Sequence, residues 1–202
     1  QEARRLASVA SSPERRRDLE EIAEICDWVP ENPARTFREA VQSFWFTHLV
    51  IQIESNGLSI SPGRFDQYMY PFLKADLAVG KLGKEKALEI LGCLWIKFNE
   101  ILKVRDEATT KQSGGYPMYQ NLIVGGQTPE GLDATNDLTY LCLETAARMR
   151  LPQPSFSIRY HSGCPREFLL KSSELVQVGI GFPAMYNDEV IIPAMLASGV
   201  SM

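Results

Sequence analysis

The chain reads Asn-Leu-Ile-Val-Gly-Gly at residues 121–126 and Ser-Phe-Ser-Ile-Arg-Tyr at residues 155–160, two runs typical of buried strands. A helical pattern at residues 133–150 separates them. A second helical pattern, at 165–178, leads to a short extended segment at 181–185. Strands and helices thus alternate with a period of about 30 to 35 residues, as in βαβ units with a parallel sheet. We therefore predict an α/β fold in which this half of the chain forms a sector of an α/β barrel.

The first half of the chain is predicted to be rich in helices. The spacing of apolar residues indicates a helix over residues 1–28. Thr36 and Glu39 have the spacing of a capping box, in which Thr36 caps the Glu39 amide and Glu39 reaches back. The helix that begins there runs towards Glu54. Further helices are expected at residues 64–78, with an interruption near Pro71, and at 84–104, and a turn at 114–117.

The composition argues against several classes of function. The 202 residues carry a net charge of −4, which gives no electrostatic reason to expect nucleic acid or an anionic membrane as a partner. No apolar run reaches the roughly 18 to 20 residues of a membrane span. The arginine-rich start has no apolar segment typical of a signal peptide. We expect a cytoplasmic protein with no nucleic-acid or membrane partner.

The four cysteines, Cys26, Cys93, Cys142 and Cys164, are widely spaced and form no CxxC pair. This pattern argues against a zinc site and against a redox dithiol, so no metal and no bound cofactor are expected. Gly-Ile-Gly-Phe-Pro-Ala at residues 179–184 matches a dinucleotide-binding fingerprint in outline. Its proline lacks an amide hydrogen for a phosphate, and no acidic residue follows about 20 positions later. We reject this motif as a cofactor loop.

Two histidines and one acidic run remain as candidates. His48 lies within an apolar helical pattern, where a hydrogen-bonded core residue is favoured over a catalyst. His161 closes a strand; a structural role is favoured there, and a place in a site stays open. Asn187, Asp188 and Glu189 open the last helix. Asn187 as N-cap, with two acids that favour the helix dipole, is the favoured interpretation. The alternative is a polar cluster that faces a pocket after a barrel strand.

A polar loop at residues 54–71 lies between two apolar helices. Loops that hold specific polar groups on a rigid scaffold often carry binding chemistry. Ser59 either bonds the loop backbone or hydrogen-bonds a substrate hydroxyl, and the sequence does not separate the two. The other polar and small residues are interpreted as turn formers (Gly57, Pro62 and Gly63) and as an ion pair and caps that hold the loop (Arg64, Asp66 and Gln67).

Ordered segments along nearly the whole chain match one family. They are Phe37-Arg38-Glu39-Ala40-Val41-Gln42, Gln52-Ile53-Glu54-Ser55-Asn56-Gly57, Gly63-Arg64-Phe65-Asp66-Gln67-Tyr68, Tyr70-Pro71, Gln120-Asn121-Leu122 with Gly125-Gly126, Pro152-Gln153-Pro154-Ser155, Arg159-Tyr160-His161, and Gly179-Ile180-Gly181-Phe182-Pro183-Ala184 with Asn187-Asp188. Through them the chain resembles the glycyl radical enzymes of the pyruvate formate-lyase-like type, on the branch that contains glycerol and diol dehydratases and choline trimethylamine-lyase.

The resemblance implies a sector of a ten-stranded α/β barrel, with residues 1–202 as part of one pyruvate formate-lyase-type domain. It implies a lyase or dehydratase that works anaerobically on a small hydroxy-bearing substrate. A glycyl radical, installed by a radical-SAM activating enzyme, forms a thiyl radical on a cysteine, and water or another group leaves. It also implies a homodimer. By the family pattern the catalytic cysteine and the glycyl loop lie beyond Met202, so the chain is expected to be part of a longer enzyme and inactive alone.

The resemblance assigns no catalytic residue to this chain and gives it a share of the substrate-pocket wall. The wall residues it implies are Ser59 and Leu58 in the polar loop and Tyr119 before the first strand, with Tyr116 as the alternative to Tyr119. Glycerol dehydratase-like members typically have His-Ser where this chain has Leu58-Ser59. The loss of an imidazole donor argues against glycerol or propanediol as the substrate and favours a less polar or differently shaped one. The alternative function is a non-catalytic α/β scaffold or assembly module.

Overall fold

The computed structural model describes residues 1–55, 57–113 and 118–200. Its helices are α1 Glu2–Val9, α2 Pro13–Trp28, α3 Phe37–Glu54, α4 Phe65–Ala78, α5 Lys84–Glu100, α6 Glu107–Ser113, α7 Asp137–Met149, α8 Arg166–Gln177 and α9 Asp188–Ala197. Its strands are β1 Gly63–Arg64, β2 Asn121–Gly125, β3 Ser155–Tyr160 and β4 Ala184–Asn187. No helix in these ranges is long and apolar enough to cross a membrane. The turn expected at residues 114–117 lies outside the described residues.

The strands form one parallel sheet in the order β1-β2-β3-β4. Among the described residues, three helices, α4 to α6, connect β1 to β2, and one helix connects each later pair of strands. The register places Leu122 beside Phe156 and Val124 beside Ile158. The α/β prediction and the two strands from which it started are therefore confirmed. β4 begins three residues later than the predicted extended segment at 181–185. β1 was not predicted, because it is two residues long and has no apolar run.

Alternation along the strands divides the sheet into two faces. Leu122, Val124, Phe156 and Ile158 are at most 1% exposed and belong to the hydrophobic core, which α3, α4, α5, α7 and α8 complete. Successive side chains of a strand point to opposite faces, so the intervening residues face away from this core. Arg64 pairs with Ile123, and Ile123 with Ser157, two positions before Arg159. Both arginines therefore share the face opposite the core.

The N-terminal region differs from its prediction. The chain forms two helices, α1 and α2, and not one helix over residues 1–28. The break lies at Ser12, whose side chain accepts a hydrogen bond from the Arg15 amide, and Pro13 occupies the first position of α2. A serine N-cap followed by proline is a standard helix start, and it also ends the preceding helix, because proline disfavours helical backbone in the residue before it.

The predicted capping box at the start of α3 is half present. Thr36 Oγ1 accepts from the Glu39 amide at 3.2 Å. The Glu39 carboxylate, however, accepts from the Arg35 amide at 2.7 Å and from the Arg35 guanidinium at 2.6 Å, so it does not close the box on Thr36. These charge-assisted bonds lower the pKa of Glu39.

The interruption expected near Pro71 is absent, and α4 continues through it from Phe65 to Ala78. A proline within a helix removes one backbone donor and strains the preceding turn. Met69 and Leu73, on the two sides of Pro71, are both buried in the core. Packing of these two turns against the core holds the helix continuous across the proline.

Candidate functional site

The polar loop and the segment that leads into β2 lie side by side at the amino ends of the strands. The Ser59 amide donates to the Met118 carbonyl at 2.9 Å. Ser61 Oγ donates to the Ser59 carbonyl at 3.2 Å and accepts from the Asn121 amide at 3.1 Å. These bonds bring Ser59 and Tyr119, predicted from segments about 60 residues apart, to one edge of the sheet. We call residues 57–62 and 118–120 the wall segments.

Ser59 and Tyr119 both adopt left-handed backbone, with φ of 62° and 53°. Residues other than glycine are uncommon in this region, and such conformations occur more often at functional sites. The third such residue in the described part of the chain, Arg150, is the C-cap of α7, a position where left-handed backbone is ordinary. Apart from this helix cap, the two wall residues are the only non-glycine residues with left-handed backbone in the described part of the chain.

The wall side chains are accessible. Leu58 is 48% exposed and Tyr119 is 42% exposed. Ser59 is held through its backbone amide, and the Ser59 hydroxyl makes no hydrogen bond to a described residue. The Arg105 guanidinium lies 5.9 Å from the centre of the Tyr119 ring, within cation–π distance. Tyr116, the alternative to Tyr119, lies outside the described residues.

A buried polar network supports the wall from behind. His48 Nε2 lies 2.8 Å from Gln120 Oε1, and Gln120 Nε2 donates to the Phe98 carbonyl at 2.9 Å. Because Gln120 uses its amide nitrogen on Phe98, His48 Nε2 is the donor to its oxygen. Burial lowers the pKa of His48, which keeps the imidazole neutral. The prediction of a hydrogen-bonded core histidine is therefore confirmed.

A second polar cluster occupies the carboxyl ends of the strands. Asp188 Oδ1 accepts from Arg159 Nε at 2.6 Å, and Asp188 Oδ2 accepts from the Gln127 amide at 3.0 Å. Asp66 is fully buried next to them, and its Oδ2 accepts from the Gly125 amide at 2.8 Å and from Thr139 Oγ1 at 2.6 Å. Burial raises the pKa of Asp66 in spite of these bonds.

Two consecutive glycines allow this cluster to close. Gly125 and Gly126 have φ of 75° and 85°, a region that favours glycine. A Cβ at Gly126 would lie 3.0 Å from Arg159 Nε and 3.0 Å from Asp188 Oδ2. Only a residue without a side chain lets the backbone pass this close to the ion pair, which explains why the strand ends on a glycine pair.

The acidic run at the start of α9 has two separate roles. Asn187 is the N-cap, as predicted, and its side chain accepts from the Glu189 amide at 2.9 Å. Asp188 does more than favour the helix dipole, because it is 1% exposed and pairs with Arg159. His161 lies beyond the same edge, where its Nδ1 accepts from the Gly163 amide at 3.1 Å and its Nε2 lies 3.3 Å from Asp133. Those partners support the structural role favoured for His161.

Other candidate chemistries find no support in the structure. The motif at residues 179–184 lies between α8 and β4, whereas a dinucleotide fingerprint follows a strand and opens a helix. Among the described residues, no group of three or more His, Cys, Asp or Glu could hold a metal ion. Cys142 is fully buried in the core, where desolvation and nearby Asp66 raise the pKa of its thiol well above the usual value, unlike that of a reactive cysteine.

Comparison with known proteins gives a consistent result. The family model described as pyruvate formate lyase-like matches residues 1–202. An isethionate sulfite-lyase from Nitratidesulfovibrio vulgaris is 43% identical over 201 residues, which is 98% of this chain and 24% of that protein. The chain thus spans about a quarter of the length of this relative.

Solved structures agree with the sequence comparison. A structure from a study of 1,2-propanediol dehydration in Roseburia inulinivorans has a TM-score of 0.96 and 50% identity, covering 99% of this chain and 25% of that one. The glycerol-bound form of the B12-independent glycerol dehydratase from Clostridium butyricum has a TM-score of 0.94 and 53% identity, with the same coverage. At 50% and 53% identity, these matches indicate homology as well as a shared fold.

Proposed function

Since the chain belongs to the pyruvate formate lyase-like family of glycyl radical enzymes, we propose that it forms one sector of a radical lyase or dehydratase. The reaction removes water or another leaving group from a small substrate that carries a hydroxyl group. Relatives named for isethionate, 1,2-propanediol and glycerol support this class of substrate. In this proposal the 202 residues contribute pocket wall and scaffold to a longer protein.

One observation carries the proposal: the Ser59 loop and the Tyr119 segment meet through the 2.9 Å bond from the Ser59 amide to the Met118 carbonyl. This bond fixes the loop by its backbone and leaves the Ser59 hydroxyl available as a donor or acceptor for a substrate oxygen. The left-handed backbone of both residues fits a site in which geometry is fixed before the substrate binds. Ser59, Leu58 and Tyr119 are the proposed substrate contacts.

The radical chemistry belongs to other parts of the protein. The glycyl radical, formed anaerobically by a radical-SAM activating enzyme, and a thiyl cysteine would supply hydrogen abstraction from the substrate carbon. This chain's residues bind and orient the substrate and exclude water, which a radical site needs. Its four cysteines are not proposed for the radical role. Cys142 is buried in the core, Cys164 is partly buried against it, and Cys26 and Cys93 lie on helices α2 and α5. We propose a cytoplasmic homodimer as the working form.

Leu58 indicates the kind of substrate. It stands where glycerol dehydratase-like members typically have histidine, and its isobutyl side chain offers neither donor nor acceptor. A substrate with fewer polar groups than glycerol near this position fits better, because a buried hydroxyl without a partner is costly. 1,2-Propanediol, with a methyl group in place of one hydroxymethyl, meets this requirement better than glycerol does.

The test uses the full-length protein that carries this chain, activated anaerobically with its radical-SAM partner. Radical formation is followed by electron paramagnetic resonance, and the substrates offered are 1,2-propanediol, glycerol, isethionate and trans-4-hydroxy-L-proline. We expect a glycyl radical and turnover of a hydroxy-bearing compound, with 1,2-propanediol ahead of glycerol. A protein that forms no radical under conditions that activate a known relative would favour the scaffold alternative.

A further inference from the structure

A cavity of about 440 Å³ opens at the carboxyl ends of the strands. The wall segments lie at the other end, where the strands begin. Arg64 of β1 and Arg159 of β3 line its floor. One side is formed by α9 and the other by four residues of the loop after β2: Gln127, Thr128, Pro129 and Gly131. The cavity therefore combines two guanidinium groups with a volume sufficient for a small molecule or a side chain.

The two guanidinium groups are incompletely satisfied by the described residues. Arg64 Nη2 donates to the Gly125 carbonyl at 2.9 Å, while Arg64 Nε is buried and has no partner among them. No carboxylate oxygen of the described chain lies within 4.0 Å of an Arg64 nitrogen. Arg159 uses Nε on Asp188, and its terminal nitrogens make no other hydrogen bond within the described part.

The two carboxylates near the arginines, Asp66 and Asp188, already accept hydrogen bonds within the described part of the chain. Asp188 is committed to Arg159 and to the Gln127 amide. Asp66 Oδ2 accepts from the Gly125 amide and from Thr139 Oγ1. Burial, and then the charge of Arg159, lower the pKa of Arg64, while the charges of Asp66 and Asp188 act in the opposite direction. An anion between them would relieve both the desolvation and the repulsion.

The opposite wall of the cavity is apolar. Ile192, Met195 and Leu196 of α9 face the arginines across it. A ligand that fits both walls has a planar anionic head and an apolar body. A guanidinium presents two parallel N–H groups that match the two oxygens of a carboxylate.

We propose that this cavity binds a carboxylate, held between Arg64 and Arg159, with its apolar part against α9. The carboxylate accepts hydrogen bonds from the terminal nitrogens of Arg64 and Arg159 that the described residues leave unbonded. The site is separate from the wall segments and does not depend on the function proposed for them. A free aliphatic acid and an Asp or Glu side chain from another part of the longer protein present the same chemistry here, and the experiment separates them.

The test measures butyrate binding to the full-length protein by isothermal titration calorimetry at constant ionic strength, with chloride as the reference anion. The variants are Arg64→Gln and Arg159→Gln. Arg166→Gln is the matched control, because Arg166 is exposed on α8 and its loss removes the same charge. A free-acid site predicts millimolar binding that falls at least tenfold in the first two variants and is unchanged in the control.

Crystal structures of the full-length protein, with and without butyrate, complete the test and do not depend on how well the variants fold. A butyrate carboxylate on both arginines supports a free-acid site. An Asp or Glu carboxylate already on both arginines, with no butyrate binding, supports the proposal with the protein as the source. Structures in which both guanidinium groups contact only water or backbone carbonyls overturn it, and so does butyrate binding that Arg64→Gln and Arg159→Gln leave unchanged.

Discussion

Asp188 accepts a hydrogen bond from Arg159 Nε at 2.6 Å, and this ion pair joins the end of β3 to the first turn of α9. The same carboxylate accepts from the Gln127 amide, so it also holds the loop that follows β2. One buried side chain thus fixes the carboxyl ends of two parallel strands and the start of a helix. Removing one partner of such a buried pair costs more than the pair itself contributes.

Gly126→Ala should disrupt this pair. The new Cβ would lie 3.0 Å from Arg159 Nε and from Asp188 Oδ2, in backbone with φ of 85°. We expect a loss of about 2 to 4 kcal/mol in the free energy of unfolding, from left-handed strain and overpacking together. Gly131→Ala is the control: its φ of 79° gives the same strain, but nothing lies within 4 Å of its Cβ. It should lose only about 1 to 2 kcal/mol. Urea denaturation compares them, and equal losses would contradict the proposed clash.

Asp66→Asn should change the pH dependence of stability. Burial raises the folded-state pKa of Asp66, so the folded protein holds this proton at pH values where the unfolded chain has released it. Stability is therefore lost as the pH rises from about 4, the unfolded value, through the folded pKa. The Asn variant lacks this loss. The difference between its free energy of unfolding and that of the parent should therefore change in favour of the variant as the pH rises.

Urea denaturation between pH 4 and pH 8 measures this effect. Glu130→Gln removes an exposed carboxylate from the loop after β2 and serves as the control, with a difference from the parent that is nearly independent of pH. If the Asp66→Asn and parent curves run parallel over this range, the folded-state pKa of Asp66 does not lie above its unfolded value, and the prediction is wrong.

The sequence predicted those parts of the fold that depend on local pattern. Leu122 and Val124 alternate with less buried residues, so β2 and its neighbours could be read from apolar periodicity. The break between α1 and α2 also has a sequence signal, a serine N-cap followed by proline at the first helical position. It was not predicted, because the charged helical pattern continues on both sides. β1 could not be predicted, because a strand of two residues is too short to show an alternation of apolar and polar side chains.

The site was less predictable, because its contacts join distant parts of the chain. Asp188 occupies the first turn of a helix, where an acid is explained by the helix dipole alone. Its partner Arg159 lies 29 residues earlier, and only the parallel register of β3 and β4 brings them together. The left-handed backbone of Ser59 and Tyr119 has no sequence signal, since neither residue is glycine or asparagine.

Ser59→Ala and Ser61→Ala should separate substrate contact from loop support. The Ser59 hydroxyl makes no bond to a described residue, so its loss should leave the thermal midpoint unchanged while kcat/KM falls about tenfold, the value of one substrate hydrogen bond. Ser61 Oγ bonds both the Ser59 carbonyl and the Asn121 amide, so Ser61→Ala should lower stability by about 1 kcal/mol. Thermal unfolding and anaerobic turnover of the full-length protein measure both. A Ser59→Ala variant with unchanged kcat/KM would remove Ser59 from the pocket.

Leu58→His should shift the substrate preference towards glycerol. Leu58 is 48% exposed beside Ser59, so an imidazole at this position has room and would offer a donor for the additional hydroxyl of glycerol. A hydrogen bond of about 0.5 to 1.5 kcal/mol changes the ratio of kcat/KM for glycerol and 1,2-propanediol by roughly 3- to 10-fold. Leu58→Met keeps an apolar side chain of similar volume and is the matched control, with no expected change in the ratio.

The shift should appear in binding as well as in turnover, because the proposed contact exists before any radical forms. Calorimetric titration of the unactivated full-length protein with glycerol tests the contact alone, and the ratio of kcat/KM tests it after activation. Tighter glycerol binding in Leu58→His, unmatched in Leu58→Met, places position 58 at the substrate. If both variants bind glycerol as the parent does, the polar loop does not reach the substrate at Leu58, and the less polar substrate inferred from this residue loses its basis.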